Sequence, residues 1–225
     1  MRGAVAVVVG AGGGIGGALA DALRADPRHA AVVALRRPML DLTDEASIVA
    51  AARALPEGQL RLVFDATGFL HDTAQRPERS WRELDAAALA RNFALNAIGP
   101  ALLMKHFLPL LPRRGRAVFA TLSARVGSIG DNRLGGWYGY RAAKAALNQL
   151  VRTAAIELAR THPDAVCVAL HPGTVATPLS APFAKTGLTL RSPAAAAADL
   201  LAVVEALTPA QTGGFLDWRG QPVPW

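Results

Sequence analysis

The sequence is poor in the features that would make several functions straightforward. Its one cysteine, Cys167, lies in the apolar run AVCVAL. No internal disulfide can form, and a thiol in such a run reads as a small core residue rather than a nucleophile. No stretch carries the roughly 20 apolar residues needed to cross a bilayer. The first apolar run is short and is interrupted by glycines from Gly10 to Gly17, which argues against a signal peptide. His71, His106 and His171 lack metal-ligand spacing, so no metal is expected. Blocks of like charge are also missing. The net charge is +7, but Arg36-Arg37 and Arg113-Arg114 are the only basic doublets. Scattered charge describes a solvated surface rather than a nucleic-acid footprint. These absences leave a cytoplasmic protein with a small-molecule partner and neither nucleic acid nor membrane as expected ligand.

What is present is an alternation of strand and helix patterns along 225 residues. AVAVVV (4–9) is apolar throughout, as in a strand covered on both faces. A helix is expected at 14–25, a strand at 30–35 and a helix capped by Thr43 or Asp44. Strands follow at 61–66, 116–122 and 165–170, with a last one in GGFLDW (213–218). A long helix is expected over 83–111, kinked at Gly99-Pro100, because proline removes an amide donor. A further helix carries Tyr140, and another opens at Ser192-Pro193, with serine as cap. The pattern predicts a Rossmann-type, doubly wound parallel α/β sheet in a single three-layer α/β/α domain spanning 1–225. No repeat or linker divides it. Residues 174–192 lack periodicity and read as a short substrate loop.

Two motifs carry chemistry. Gly10-Ala11-Gly12-Gly13-Gly14-Ile15-Gly16 joins the first strand to the first helix. Glycines there allow a tight turn and close approach of backbone to a pyrophosphate, which the helix N-terminus attracts. Gly12, Gly14 and Gly17 fit one dinucleotide spacing and Gly10, Gly14 and Gly16 another; the second is preferred because Gly10 directly follows the strand. At the end of the second strand stand Arg36 and Arg37, where an acidic residue would favour NAD. Arginine suits a 2′-phosphate, so NADP(H) is the expected cofactor, with NAD(H) possible. Asp41 could meet the adenine edge. The second motif is Tyr140 and Lys144, four residues apart on one helix face. Lysine is rare here: of 24 basic residues only Lys105, Lys144 and Lys185 are lysines. An ammonium beside the phenol is expected to lower its pKa and let it move a proton to or from a carbonyl oxygen.

With these motifs the chain resembles the short-chain dehydrogenase/reductase superfamily over essentially its full length. GAGGGIG, DATG (65–68), Asn96 in NAIG, a serine before the reactive helix, YRAAK and HPGTVATP (171–178) occur in family order. The run SARVGSIGDNRLGGWYGYRAAKAALN is more narrowly similar to the C-factor and sniffer-type carbonyl reductases. The resemblance implies an NADP(H)-dependent carbonyl reductase or alcohol dehydrogenase, a homodimer or homotetramer through its paired helices. Tyr140 would be the acid/base, Lys144 its partner on the nicotinamide ribose, and Asn96 the holder of a relay water. Gly10 to Gly16 with Ile15, Arg36, Arg37, Asp41, Leu42, Ala66, Thr67, Gly68, Pro172, Gly173, Val175 and Thr177 would line the cofactor. There are two departures. The usual N-N-A-G is Asp65-Ala66-Thr67-Gly68 here, and Ala124 stands where the family has its catalytic serine. Consecutive strand residues face opposite sides, so the neighbouring Ser123 substitutes only if the strand end turns; Ser128 is the alternative. These departures keep open a second reading, a catalytically weak NADP-binding regulatory or signalling protein on the same fold. Trp137, Trp218 and Trp225 read as packing or interface residues, and His71 as a residue that could line the substrate cleft.

Overall fold

In the computed structural model, which describes residues 3–56, 58–183 and 190–225, strands β1 (Ala4–Val9), β2 (His29–Leu35), β3 (Leu60–Asp65), β4 (Ala117–Leu122), β5 (Ala165–His171) and β6 (Phe215–Asp217) form one sheet. Its order is β2-β1-β3-β4-β5-β6 and every pairing is parallel. Side chains alternate across the sheet, and the strands are apolar throughout because both faces are covered. Val5, Val7 and Val9 enter one core, Ala6 and Val8 the other. The first core is closed by α2 (Glu45–Arg53), α4 (Gly99–Phe107) and α5 (Tyr138–Ala159) through Ile48, Leu103, Phe107, Leu147 and Val151. The second is closed by α1 (Gly14–Ala25) and α6 (Pro193–Ala206) through Leu19, Leu23, Leu200 and Val204. This is the doubly wound, Rossmann-type α/β architecture. Asp44 caps α2 by accepting from Ala46 N at 3.0 Å, and Ser192 caps α6 by accepting from Ala195 N at 3.1 Å.

The chain winds one way from β1 to β2 and the other way from β3 onward. Beyond the carboxyl ends of β1 and β3 lies the crevice where this topology binds ligands. Gly10 and Ala66 mark those two ends. They meet so closely that a Cβ on Gly10 would stand 3.0 Å from the Ala66 carbonyl, and Gly10 has a left-handed φ of 83°.

The expected helix over 83–111 is not continuous. It divides into a 3-10 turn Trp81–Glu83, α3 (Ala86–Phe93), a single π turn Ala94–Ile98, α4 and a 3-10 turn Leu108–Leu110. Gly99 N bonds to Ala94 O, five residues back. Pro100 lacks the amide that would reach the Asn96 carbonyl, so the break falls upstream of the proline rather than at it. The run Ala86–Leu110 also corrects the expectation about apolar length. It is 25 residues long and holds an 18-residue window of mean hydropathy 1.2, enough to cross a membrane by length and composition. Its Leu103 and Phe107 are instead buried in the core against the sheet, with the polar Asn92 and Asn96 buried as well.

Candidate active site

The glycine turn shows where close approach requires the missing side chain. A Cβ on Gly16 would lie 2.2 Å from the Gly10 carbonyl oxygen, and one on Gly14 would lie 3.0 Å from Thr177 Cγ2. Gly12 would meet only Arg36 carbons, at an ordinary 3.6 Å. The steric demand thus falls on Gly10, Gly14 and Gly16. Gly13 precedes α1 in an extended conformation and has no side chain to cap it. The first i→i−4 bond is made by Gly17 N to Gly13 O at 2.8 Å. The amides of Gly14, Ile15 and Gly16 precede that bond and point out of the helix end. α1 has no acidic residue in its first turn. Such an end can hold a diphosphate.

A cleft of about 900 Å³ runs from this turn in both directions. On one side are Arg36, Arg37, Asp41 and Leu42, and on the other Ala66, Thr67, Gly68, Phe69 and His71. Both arginines are exposed and free to swing onto an anionic ligand. Asp41 accepts from Thr43 N at 2.8 Å and Thr43 Oγ1 at 2.7 Å. These bonds, with Arg37 nearby, hold its carboxyl below the usual range. Leu42 packs where a Cβ on Gly99 would stand, 2.7 Å from Leu42 Cβ.

The departure at DATG has a structural consequence. Asp65 is fully buried and accepts from Thr67 N at 3.0 Å, Thr67 Oγ1 at 2.6 Å and, across the β3–β4 ladder, Thr121 Oγ1 at 2.6 Å. Burial nonetheless pushes its pKa up. Ala66 N goes to Val9 O and Phe69 N to Asn96 Oδ1, at 2.9 Å each. The amides of Ala66, Thr67 and Phe69 are therefore all committed to holding the turn in shape. Asn96 Nδ2 donates to Phe69 O at 2.8 Å, so this side chain clamps both polar groups of one residue.

Tyr140, Lys144 and Asn148 stand at i, i+4 and i+8 on the buried face of α5. Lys144 Nζ donates to Leu122 O at 2.8 Å and lies 5.9 Å from the Tyr140 ring centroid. The position of a Cβ on Gly68 is 3.9 Å from both Lys144 Nζ and Asn96 Oδ1. Gly68 therefore joins the cleft to the Lys144 side of the site. Gly127 lets the turn after β4 lie directly on α5, since a Cβ there would be 2.8 Å from Lys144 Cβ. The expected acidification of the phenol is not what the geometry gives. Burial pushes Tyr140 above its ordinary value and pushes Lys144 down to about 8, the latter resisted by Asp65. Desolvation is the largest cause of both shifts and disfavours both charged forms.

Neither candidate serine is bonded to the tyrosine. Ser123 Oγ donates to Asn148 Oδ1 at 2.6 Å, with both side chains buried. Asn148 is eight residues beyond Tyr140, about 12 Å along the helix axis. The structure therefore pairs the Ser123 hydroxyl with Asn148 rather than with Tyr140. Ser128 Oγ instead faces Trp225 O at 3.3 Å and accepts from Asp131 N at 3.1 Å. Thr177 reaches the glycine turn through Gly14, as described above. Pro172 and Gly173 follow the carboxyl end of β5 at His171. Gly173 (φ 77°) packs on Trp218 and Arg191, and Val175 bridges to Arg191. The substrate loop over 174–192 is described to residue 183 and from 190; its remainder lies outside the described residues.

Two residues that sequence reasoning passed over, and one that it read as packing or interface, now stand beside the site. Asn148 continues the i, i+4 row of Tyr140 and Lys144, a spacing visible in the sequence. Glu78 is buried and accepts from Gly139 N at 3.1 Å with one carboxylate oxygen. Trp137 packs on the Tyr140 ring. Glu78 carried no sequence signal of its role.

A family model described as enoyl-(acyl carrier protein) reductase matches residues 18–203. The chain is 38% identical to the C-signal protein of Myxococcus xanthus over 144 residues, 64% of this chain and 82% of that protein. It is 33% identical over 195 residues to the 1-hydroxy-2-glutathionyl-2-methyl-3-butene dehydrogenase of a Rhodococcus species, covering 84% of this chain and 79% of that one. Among solved structures it superposes on the NADPH-bound carbonyl reductase from chicken fatty liver with a TM-score of 0.86 at 26% identity, over 100% of this chain and 95% of the other. A Burkholderia multivorans short-chain dehydrogenase/reductase with bound NADP gives 0.83 at 26% identity, with both chains fully covered.

Proposed function

Given that the chain belongs to the short-chain dehydrogenase/reductase family of oxidoreductases, we propose that it interconverts a carbonyl and an alcohol with NADP(H), using Tyr140 as acid/base and Lys144 as its partner. The observation that carries this reading is the convergence of Tyr140, Lys144, Asn96 and Gly68 beside the crevice at the carboxyl edge of the sheet. The glycine turn and the α1 N-terminus fit a diphosphate. Arg36 and Arg37 fit a ribose 2′-phosphate, the group that distinguishes NADP, and both related structures described above hold that cofactor. The bound nicotinamide supplies the hydride.

The chain's own residues do the rest. The buried phenol of Tyr140 keeps its proton at neutral pH, which is the form that donates to a carbonyl oxygen. The Lys144 ammonium, tethered to Leu122 O, offsets the negative charge that Tyr140 acquires on giving up that proton. Asn96 fixes the Phe69 backbone, and its place in the helix turn that Pro100 interrupts suits it to hold a relay water. Carbonyl polarisation falls to Tyr140 alone, because Ser123 is committed to Asn148. Ile98 and Ile156 are about half exposed and suit a helix-paired homodimer, working in the cytoplasm. The diverted serine and the likeness to a protein named C-signal favour the second reading, a weakly active NADP-binding regulator.

The test is NADPH oxidation with a panel of aldehydes, ketones and diones, for wild type and Tyr140→Phe. Turnover by wild type with a loss of at least about 100-fold in Tyr140→Phe supports the enzyme, by analogy with loss of a proton donor. Tight NADPH binding without turnover of any substrate points to the regulator.

A further inference from the structure

The approach to Tyr140 is built on an unusual backbone. Gly135, Gly136 and Trp137 are all left-handed, with φ of 63°, 64° and 55°; Trp137 is the one non-glycine residue with positive φ among those described. A bulky residue adopts that conformation only where its surroundings over-determine it, and such outliers gather at functional sites. The surroundings are explicit here. Trp137 N donates to Glu78 O at 2.5 Å, and Gly139 N to Glu78 Oε2 at 3.1 Å. From the other side the Arg141 guanidinium donates to the carbonyls of Gly136 at 2.9 Å, Gly135 at 3.1 Å and Val126 at 3.2 Å. A buried carboxylate and an arginine therefore clamp the turn.

The clamp aims an indole. The Trp137 ring stands edge-to-face with Tyr140 (centroids 6.3 Å, 66°) and with Phe183 (5.0 Å, 66°). Phe183 meets His71 in the same way, at 5.2 Å and 73°. His71 Nε2 is in turn occupied by the carbonyls of Leu179 at 3.2 Å and Pro178 at 3.3 Å. Tyr140, Trp137, Phe183 and His71 form a row of rings that begins at the proposed proton donor. Of the charged groups nearest the turn, Arg141 is spent on backbone carbonyls and Glu78 on the Gly139 amide through one oxygen, its other oxygen being buried without a partner.

We propose that Trp137, backed by Phe183, is a specificity-determining residue that selects uncharged carbonyl substrates bearing a flat aromatic ring. Rings pack on rings in the offset and edge-on arrangements already present in this row. An aryl ketone or aldehyde can replace one of those ring contacts while presenting its oxygen to Tyr140, which a short alkyl carbonyl cannot. The inference rests on Tyr140 being the proton donor.

The experiment compares kcat/KM for benzaldehyde and acetophenone with that for butanal and butanone, using NADPH, in wild type, Trp137→Gly, Trp137→Phe and Phe183→Leu. Glycine accepts the left-handed φ, so Trp137→Gly removes the ring without straining the turn. The aryl-to-alkyl ratio should fall by about 10-fold or more in Trp137→Gly, mainly through KM. It should recover in Trp137→Phe and fall less in Phe183→Leu. Equal losses for aryl and alkyl substrates overturn the proposal, as does a higher ratio in any ring-deleted variant. If wild type turns over neither class, the catalytic reading fails and calorimetric titration of NADPH-saturated protein with acetophenone decides the inference. Binding by wild type that is lost in Trp137→Gly upholds an aryl site, and its absence in wild type refutes one.

Discussion

Ser123 is the residue at which family position and structure point in different directions, and one substitution separates them. Its hydroxyl donates to Asn148 Oδ1 at 2.6 Å, and both side chains are almost fully buried. Asn148 Nδ2 is already buried without a partner. Ser123→Ala therefore leaves the whole Asn148 amide unsatisfied. A buried polar group stripped of its partner costs about 1–3 kcal/mol. In a domain of this size each kcal/mol moves the melting temperature by about 2–4 °C, so the expected fall is about 2–12 °C by calorimetry. Replacing both partners with apolar groups should be nearly neutral, so Ser123→Ala/Asn148→Leu should recover much of the loss. In the reductase assay kcat for Ser123→Ala should stay within about 3-fold of wild type, against the about 100-fold loss expected when a donor to the developing oxyanion is removed. A drop near 100-fold with an unchanged melting temperature would show that the hydroxyl leaves Asn148 and serves the substrate, and the reasoning would be refuted.

Two other perturbations address the two ends of the molecule's charge. Arg36→Ala/Arg37→Ala should raise the Kd for NADPH by about 10- to 100-fold, the worth of one or two charge-assisted hydrogen bonds to phosphate. Titration with NADH should barely change; an equal loss for both cofactors would remove the arginines from the 2′-phosphate. His171, paired across the sheet with Asp217, has its pKa lowered from 6.5 to about 4, by burial first and then by Arg125, with Asp217 opposing. A depressed value means that the unfolded chain binds the proton more readily. His171 thus contributes stability that is complete above pH 6.5 and is lost as pH falls towards 4, up to about 3 kcal/mol. Urea unfolding at pH 7 and pH 5 should show a smaller loss in His171→Phe than in wild type, and an identical loss would mean the ring does not titrate in this window.

Legibility in the sequence followed one-dimensional pattern. Continuous apolar runs located β1 at Ala4–Val9, and the glycine turn located the start of α1 at Gly14, because each signal lies within the element it defines. The proline at 100 was visible, but its missing amide acts on the carbonyl four residues earlier, so the interruption appears at Asn96. Tyr140 and Lys144 could be paired from spacing alone, whereas their acidity could not. Spacing fixes a shared helix face, but depth of burial decides that desolvation pushes the phenol up and the ammonium down to about 8. What escaped entirely are contacts between distant segments: Ser123 with Asn148, Glu78 with Gly139, His71 with the Leu179 carbonyl. The same limit governs Trp137. Two glycines before it hint at a left-handed turn, but Glu78, about 60 residues upstream, and the Arg141 guanidinium together explain why a tryptophan is forced to continue it. Backbone strain of this kind persists only when several remote groups agree on it. The parts of the site that confer selectivity are for that reason the parts a linear reading is least able to see.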